Sequence, residues 1–131
     1  MIANMHKTVT SLYGIRNCDT VKRARQWLDA HQVAVTFHDF KLHGVPPAEL
    51  DRWLAAAGWE TLLNRQGSTW RQLDEATKAT VIDAASARAV LLATPSTIKR
   101  PVVAWAQDAG GGVTVGFKPD AWAARLHRPA P

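Results

Sequence analysis

Between Thr8 and Phe40 the hydrophobic period changes twice, and this limits the fold more than any other feature of the chain. Residues 8 to 13, Thr-Val-Thr-Ser-Leu-Tyr, are β-branched and aromatic, which predicts a strand. Gly14 to Asn17 reads as a loop. From Cys18 onward Val21, Ala24 and Leu28 recur at helical spacing, with Lys22, Arg23, Arg25, Gln26 and Asp29 on the other faces. Asn17 has the side chain of a helix N-cap, Asp19 and Thr20 fall in the first turn, and the helix is expected to end near His31. Val33 to Phe40 reads as a second strand. Two strands joined by one helix predict a right-handed crossover and parallel strands.

The next fifty residues lose the strand signal. Pro46-Pro47 opens a helix, and Leu50, Trp53, Leu54 and Ala57 form an amphipathic stripe that stops at Gly58. A short helical piece is expected at Glu60–Leu63 and a loop from Asn64 to Ser68. Asp74 is expected to cap a helix reaching Asp83, and Ser86 to cap another ended by Pro95. Ser96 to Arg100 reads as a polar loop, and Val102–Ala106 as a strand. A Gly-rich turn through Gly112 leads to a returning strand, Val113–Phe117. Pro119–Leu126 closes as a helix with Trp122 inward, followed by a frayed tail, His127–Pro131. The order is β-α-β, helical insert, β-β-α. The expected fold class is therefore α/β, a thioredoxin-like fold with an all-helical insertion. One domain is expected over residues 1–131, with the thioredoxin-like part at about 8–42 and 97–127 and the insertion at about 46–94.

Composition narrows the setting. The 131 residues contain one cysteine, which excludes an intramolecular disulfide and gives no sign of an oxidising compartment. Met1 to Thr8 lacks an apolar core of signal-peptide length, and no apolar run approaches the roughly 20 residues of a membrane span. A cytoplasmic protein without membrane contact is the expectation. The net charge of +5 permits an anionic partner. A nucleic-acid reader would need a denser basic stripe or a known reading motif, so none is expected. No metal site is expected either.

The chemistry centres on Cys18. The thiolate is the nucleophile, and at a helix start the unpaired N–H groups and the macrodipole favour it. A helix end supplies only about 1 kcal/mol, so a strongly lowered thiol also needs a cation. Arg16, Lys22 and Arg100 are the candidates. A lone cysteine is otherwise a small buried residue, but a polar Arg16-Asn17 loop at a helix start favours the reactive role. In the thioredoxin order, the loop before the third strand lies beside the N-terminus of the first helix. This puts Arg100 within reach of the sulfur, with Pro101, which cannot donate to the ladder, opening the strand. The arginine fork suits an oxyanion or a carboxylate.

Four strings together resemble the ArsC family: Tyr13 to Ala24, Gly58 to Trp70, Ile98 to Val102, and Val115-Gly116-Phe117. The similarity covers about residues 9 to 125 and looks closest to the YffB-type branch, with Spx-type regulators as neighbours. The resemblance implies a thioredoxin-like fold with a helical insert, Cys18 as the nucleophile, Arg100 as the oxyanion-binding arginine and Pro101 as a cis-proline. A second family arginine follows a Leu-Leu pair, where this chain has Asn64 and then Arg65. A third corresponds to Lys118, which keeps the charge but loses the fork. Asn17 and Arg16 complete the expected substrate-binding set. Arsenate-reducing members carry His-Asn-Pro-x-Cys followed by Gly-Thr-Ser-Arg, and this chain has Gly-Ile-Arg-Asn-Cys followed by Asp-Thr-Val-Lys. Spx-type proteins often have Cys-x-x-Cys, and here Val21 replaces the second cysteine.

With no internal resolving thiol, a disulfide at Cys18 must be resolved from outside, most simply by glutathione. The expected function is a glutathione-linked thiol reductase acting on a small anionic or thiol substrate, with no bound cofactor and glutathione as co-substrate. The alternatives are an arsenate reductase served by glutathione and glutaredoxin, and a non-enzymatic, Spx-like regulator that binds RNA polymerase.

Overall fold

The computed structural model describes residues 9–126; the expectations for Met1–Thr8 and for the tail His127–Pro131 lie outside them. The chain divides into two compact units, one from the residues up to His38 together with those from Arg100, the other from Asp39–Lys99.

The first unit carries the sheet. Its strands are β1 (Thr10–Gly14), β2 (Val35–Asp39, which runs to the boundary of the unit), β3 (Val102–Ala104) and β4 (Val113–Val115), in the order β2-β1-β3-β4. β3 pairs antiparallel with β1 and with β4, with Leu12 opposite Val103 and Val103 opposite Thr114. Helix α1 (Asp19–Ala30) buries Val21, Ala24 and Leu28, the residues its periodicity singles out. Trp122 of the closing helix α8 (Pro119–Leu126) is likewise buried. Those four residues share one core with Leu12, Val103 and Trp105, so α1 and α8 pack on the sheet face that presents Leu12 and Val103. Trp122 meets Trp27, Trp105 and Phe117 edge-on at ring separations of 5.7, 5.2 and 4.9 Å, the geometry that aromatic quadrupoles prefer. The strands of the hairpin are shorter than the expected Val102–Ala106 and Val113–Phe117. After Ala104 the chain turns through a 3-10 turn at Gln107–Ala109, and Gly110, Gly111 and Gly112 all take positive φ, which glycine alone adopts without strain.

The second unit contains α2 (Phe40–His43), α3 (Pro47–Ala57), α4 (Trp59–Leu62), α5 (Ser68–Gln72), α6 (Glu75–Ala79) and α7 (Ala84–Ala93). α7 packs against α3 and α4. Three expectations are corrected here. The segment before Arg100 is not a polar loop: Thr97 and Ile98 are buried, and Ile98 forms an antiparallel bridge with the buried Leu63. It is a 3-10 turn, Pro95–Thr97, that leads into this single bridge, with Lys99 exposed. The helix capped by Asp74 ends at Ala79, not at Asp83, because Asp83 is needed as the next cap. Asp83 accepts from the Ser86 N–H and Ser86 Oγ from the Asp83 N–H, so Ser86 is the third residue of α7 and the reciprocal partner in a capping box.

Candidate active site

β1 leads straight into the site. A Cβ placed on Gly14 would lie 2.8 Å from Cγ2 of Val21, a fully buried residue in the first turn of α1. The glycine therefore permits the end of β1 to touch the start of α1. Ile15 is buried and holds the following loop, leaving Arg16 and Asn17 exposed. The helix cap is Cys18, not Asn17: Cys18 has extended φ and ψ of −125° and 122°, and its carbonyl accepts from the Lys22 N–H at 2.9 Å. Its side chain is half-buried against the core of the sheet-bearing unit.

The environment of the thiol favours the thiolate. Burial acts most strongly and opposes ionisation. Against it stand, in decreasing order, the Val21 N–H, a hydrogen bond from the Arg100 guanidinium, the charge of Arg100, and the Thr20 N–H. The balance holds the thiol below its ordinary range. The sulfur does not close a cap hydrogen bond of strict geometry, yet the two first-turn amides still favour the anion. A neutral thiol is a weak acceptor, and the field of the N–H groups matters once it ionises.

Arg100 is half-buried on the segment that enters β3, with its Nε inside the protein. The peptide bond to Pro101 is cis. Pro101 is buried, and its carbonyl accepts from the Gly116 N–H at 2.8 Å, which ties this segment to the end of β4. Among the three cations proposed from the sequence, Arg100 acts on Cys18, whereas Arg16 and Lys22 are exposed and do not contribute. Lys118 is exposed, its backbone carbonyl accepts from the Trp122 N–H at 2.9 Å at the start of α8, and it takes no part in the interactions that act on the thiol.

Asn64 and Arg65 belong to the helical unit. The Asn64 N–H donates to the Thr97 carbonyl at 2.8 Å, and its Oδ1 accepts from the Gln66 N–H at 3.2 Å. Arg65 is exposed with its guanidinium 5.2 Å from the centre of the Trp59 ring. With the side-chain oxygen of Asn64 engaged in the local turn, Arg65 supplies the positive charge of this loop. Among the described residues no group of three His, Cys, Asp or Glu side chains is placed to hold a metal ion, and no helix is long and apolar enough to cross a membrane.

Sequence reasoning missed two contributors. Gly14 ends β1 instead of opening the expected loop, and its sequence signal is a glycine at a strand-to-helix junction seven residues before an apolar helix position. The individual roles of the Thr20 and Val21 amides carry no side-chain signature at all.

A half-buried cysteine capping the first helix of a thioredoxin-like sheet, hydrogen-bonded by an arginine that precedes a cis-proline, defines a thioredoxin-like thiol protein with a helical insertion. More particularly, residues 13–125 match the model of the ArsC family, and the chain belongs to that family. An uncharacterised protein of Haemophilus influenzae is 39% identical over 107 residues, spanning 82% of this chain and 90% of its own length. A solved YffB protein is 54% identical with a TM-score of 0.81, covering 90% of this chain and 99% of that one. The solution structure of an arsenate reductase (ArsC) related protein from Brucella melitensis is 45% identical with a TM-score of 0.68, covering 92% of this chain and 97% of that one.

Proposed function

We propose that the protein is a glutathione-linked thiol reductase in which Cys18 attacks and Arg100 holds an anionic group of the substrate. Membership of the ArsC family supports a thiol-dependent reductase in general. The observation that carries the finer reading is the hydrogen bond between Arg100 and Cys18 at the start of α1, which gives one cysteine both a lowered pKa and an adjacent anion-binding fork.

The substrate is a mixed disulfide between glutathione and another thiol. The Cys18 thiolate attacks the glutathione sulfur, the substrate disulfide breaks, and the substrate leaves as a thiolate that takes up a proton. A second glutathione, as its thiolate, then attacks the glutathione sulfur bound to Cys18, regenerating the Cys18 thiolate and releasing glutathione disulfide. One mixed disulfide and one glutathione thus give one thiol and one glutathione disulfide. Each exchange breaks one S–S bond and makes another, and the reducing equivalents come from glutathione. The outside thiol is required because the chain has a single cysteine. Arg16, Asn17, Pro101 and Lys118, in the unit that carries Cys18, are the further residues proposed for substrate contact.

The assay couples a mixed disulfide of glutathione and a small thiol to glutathione reductase. Turnover by the wild type and its loss in Cys18→Ser are expected; no turnover above that of Cys18→Ser would overturn the proposal. Arsenate reduction is the second reading, favoured by the arsenate reductase related relative from Brucella melitensis. It is kept only if millimolar arsenate, glutathione and glutaredoxin support Cys18-dependent turnover.

A further inference from the structure

A groove of about 520 Å³ runs along α1 in the sheet-bearing unit, and neither the fold nor the thiol chemistry accounts for it. Lys22, Arg25 and Asp29 line it from the helix, and Val35 and Phe37 line it from β2. Lys22, Arg25 and Asp29 stand four, seven and eleven residues after Cys18, and in a helix that spacing returns to one face. The groove therefore continues the face of α1 that starts at the thiol.

Three observations say what occupies it. First, β2 is the outermost strand, with no further described strand beyond it. An extended chain can add to such an edge through its backbone. Second, the guanidinium of Arg25 lies 4.2 Å from the centre of the Phe37 ring. Stacking orders the side chain before a ligand arrives, which lowers the entropy lost on binding. Third, neither Lys22 nor Arg25 has an ion-pair partner among the described residues, and the Lys22 side chain is exposed one turn from the site. The walls thus join an apolar strand to two available cations, with one carboxylate, Asp29, at the far end.

We infer that the groove docks an extended acidic segment of a polypeptide substrate, the one whose cysteine is released when Cys18 takes the glutathione. The identity of this occupant rests on the reductase reading above. Helical rise places Lys22, Arg25 and Asp29 about 6, 10 and 16 Å along the axis from Cys18, and each residue of an extended peptide covers about 3.4 Å. Successive side chains of an extended chain point to opposite faces, so acidic side chains at the second and fourth residues, about 7 and 14 Å from the substrate cysteine, share the face within reach of the long Lys22 and Arg25 side chains. A basic side chain at the sixth residue lies on that same face, nearest Asp29.

The test uses two fluorescent peptides with serine in place of the cysteine, one carrying Glu at the second and fourth positions and the other Gln. Anisotropy titrations at low salt are expected to show the Glu peptide binding about fivefold tighter, the effect of two exposed charge pairs. Lys22→Gln with Arg25→Gln should abolish this ratio, and Arg25→Lys alone should keep most of it. Equal affinity of the two peptides for the wild type would overturn the inference, as would a ratio that survives the double variant. Full displacement of the Glu peptide by millimolar glutathione would also overturn it, assigning the groove to the tripeptide. A serine peptide cannot exchange disulfides, so these outcomes stand apart from the turnover assay. Absence of turnover removes the reductase reading, and absence of the charge ratio removes the groove.

Discussion

Replacing Arg100 by alanine tests the centre of the site, because Arg100 acts on Cys18 through both a hydrogen bond and a charge. A hydrogen bond to a charged group contributes about 1.5–3 kcal/mol, and a half-buried thiolate belongs at the low end of that range. About 1.4 kcal/mol is a tenfold change in an ionisation equilibrium, so Arg100→Ala should leave roughly a tenth as much thiolate at any pH well below the midpoint. The loss in rate is smaller, because a more basic thiolate is a better nucleophile. With a Brønsted coefficient of 0.4–0.5, roughly threefold of the tenfold is recovered.

The assay is the alkylation rate of Cys18 with iodoacetamide, an uncharged reagent that Arg100 cannot recruit, measured against pH. The wild-type midpoint should lie below the ordinary thiol range. In the variant it should move up, with the rate about threefold lower at acidic pH and about threefold higher on the alkaline plateau, so that the two profiles cross. Iodoacetate, an anion of similar size, should lose more than iodoacetamide in the variant if the guanidinium also holds carboxylates. Coincident midpoints would refute the assignment of Arg100 to the thiolate. A uniform loss at every pH would show that Arg100 matters for folding and not for ionisation.

Two further outcomes follow from the same geometry. The native thiol ionises below the range of the unfolded chain, so between the two values the native state holds fewer protons and stability rises with pH. This contribution is fully present above the unfolded pKa and lost as pH falls through the native one; urea unfolding across that window should show the rise in the wild type and not in Cys18→Ser. Gly14→Ala sets a methyl 2.8 Å from Cγ2 of Val21, so it should cost about 2 kcal/mol in urea unfolding through overpacking, and the alkylation midpoint should rise as the first turn shifts away from the sulfur.

The sheet-bearing unit was legible because its helices are amphipathic in the simplest way. Val21, Ala24 and Leu28 are all buried, and Pro119–Leu126 formed where its proline and Trp122 placed it. The helical unit was legible only in part. α5 buries no residue, so it leaves no periodic apolar signal. The pairing of Leu63 with Ile98 joins residues far apart in sequence, and no local pattern reports it. Asp83 and Ser86 both have capping side chains, so the local sequence offers either as the cap, and the reciprocal bonds between them make Asp83 the one that leads. Cys18 and Arg100 are likewise remote in sequence; the link came from the thioredoxin order, in which the loop before the third strand meets the first helix.

The displaced cap is the most informative of these differences. Asparagine is a strong cap and a neutral thiol a weak one, so propensity alone places the helix start at Asn17. The chain instead begins α1 one residue later and puts the thiol where the first-turn amides converge. The position costs a good cap while the sulfur is protonated and gains when it is ionised, which is the bias a nucleophile needs. Val21 serves both sides of this arrangement. Its side chain is fully buried against Gly14, and its N–H is the strongest of the influences that lower the Cys18 pKa. The close packing of β1 on α1 therefore fixes the donor as well as the helix, and changes to that packing should be read in the reactivity of the thiol before they are read in the fold.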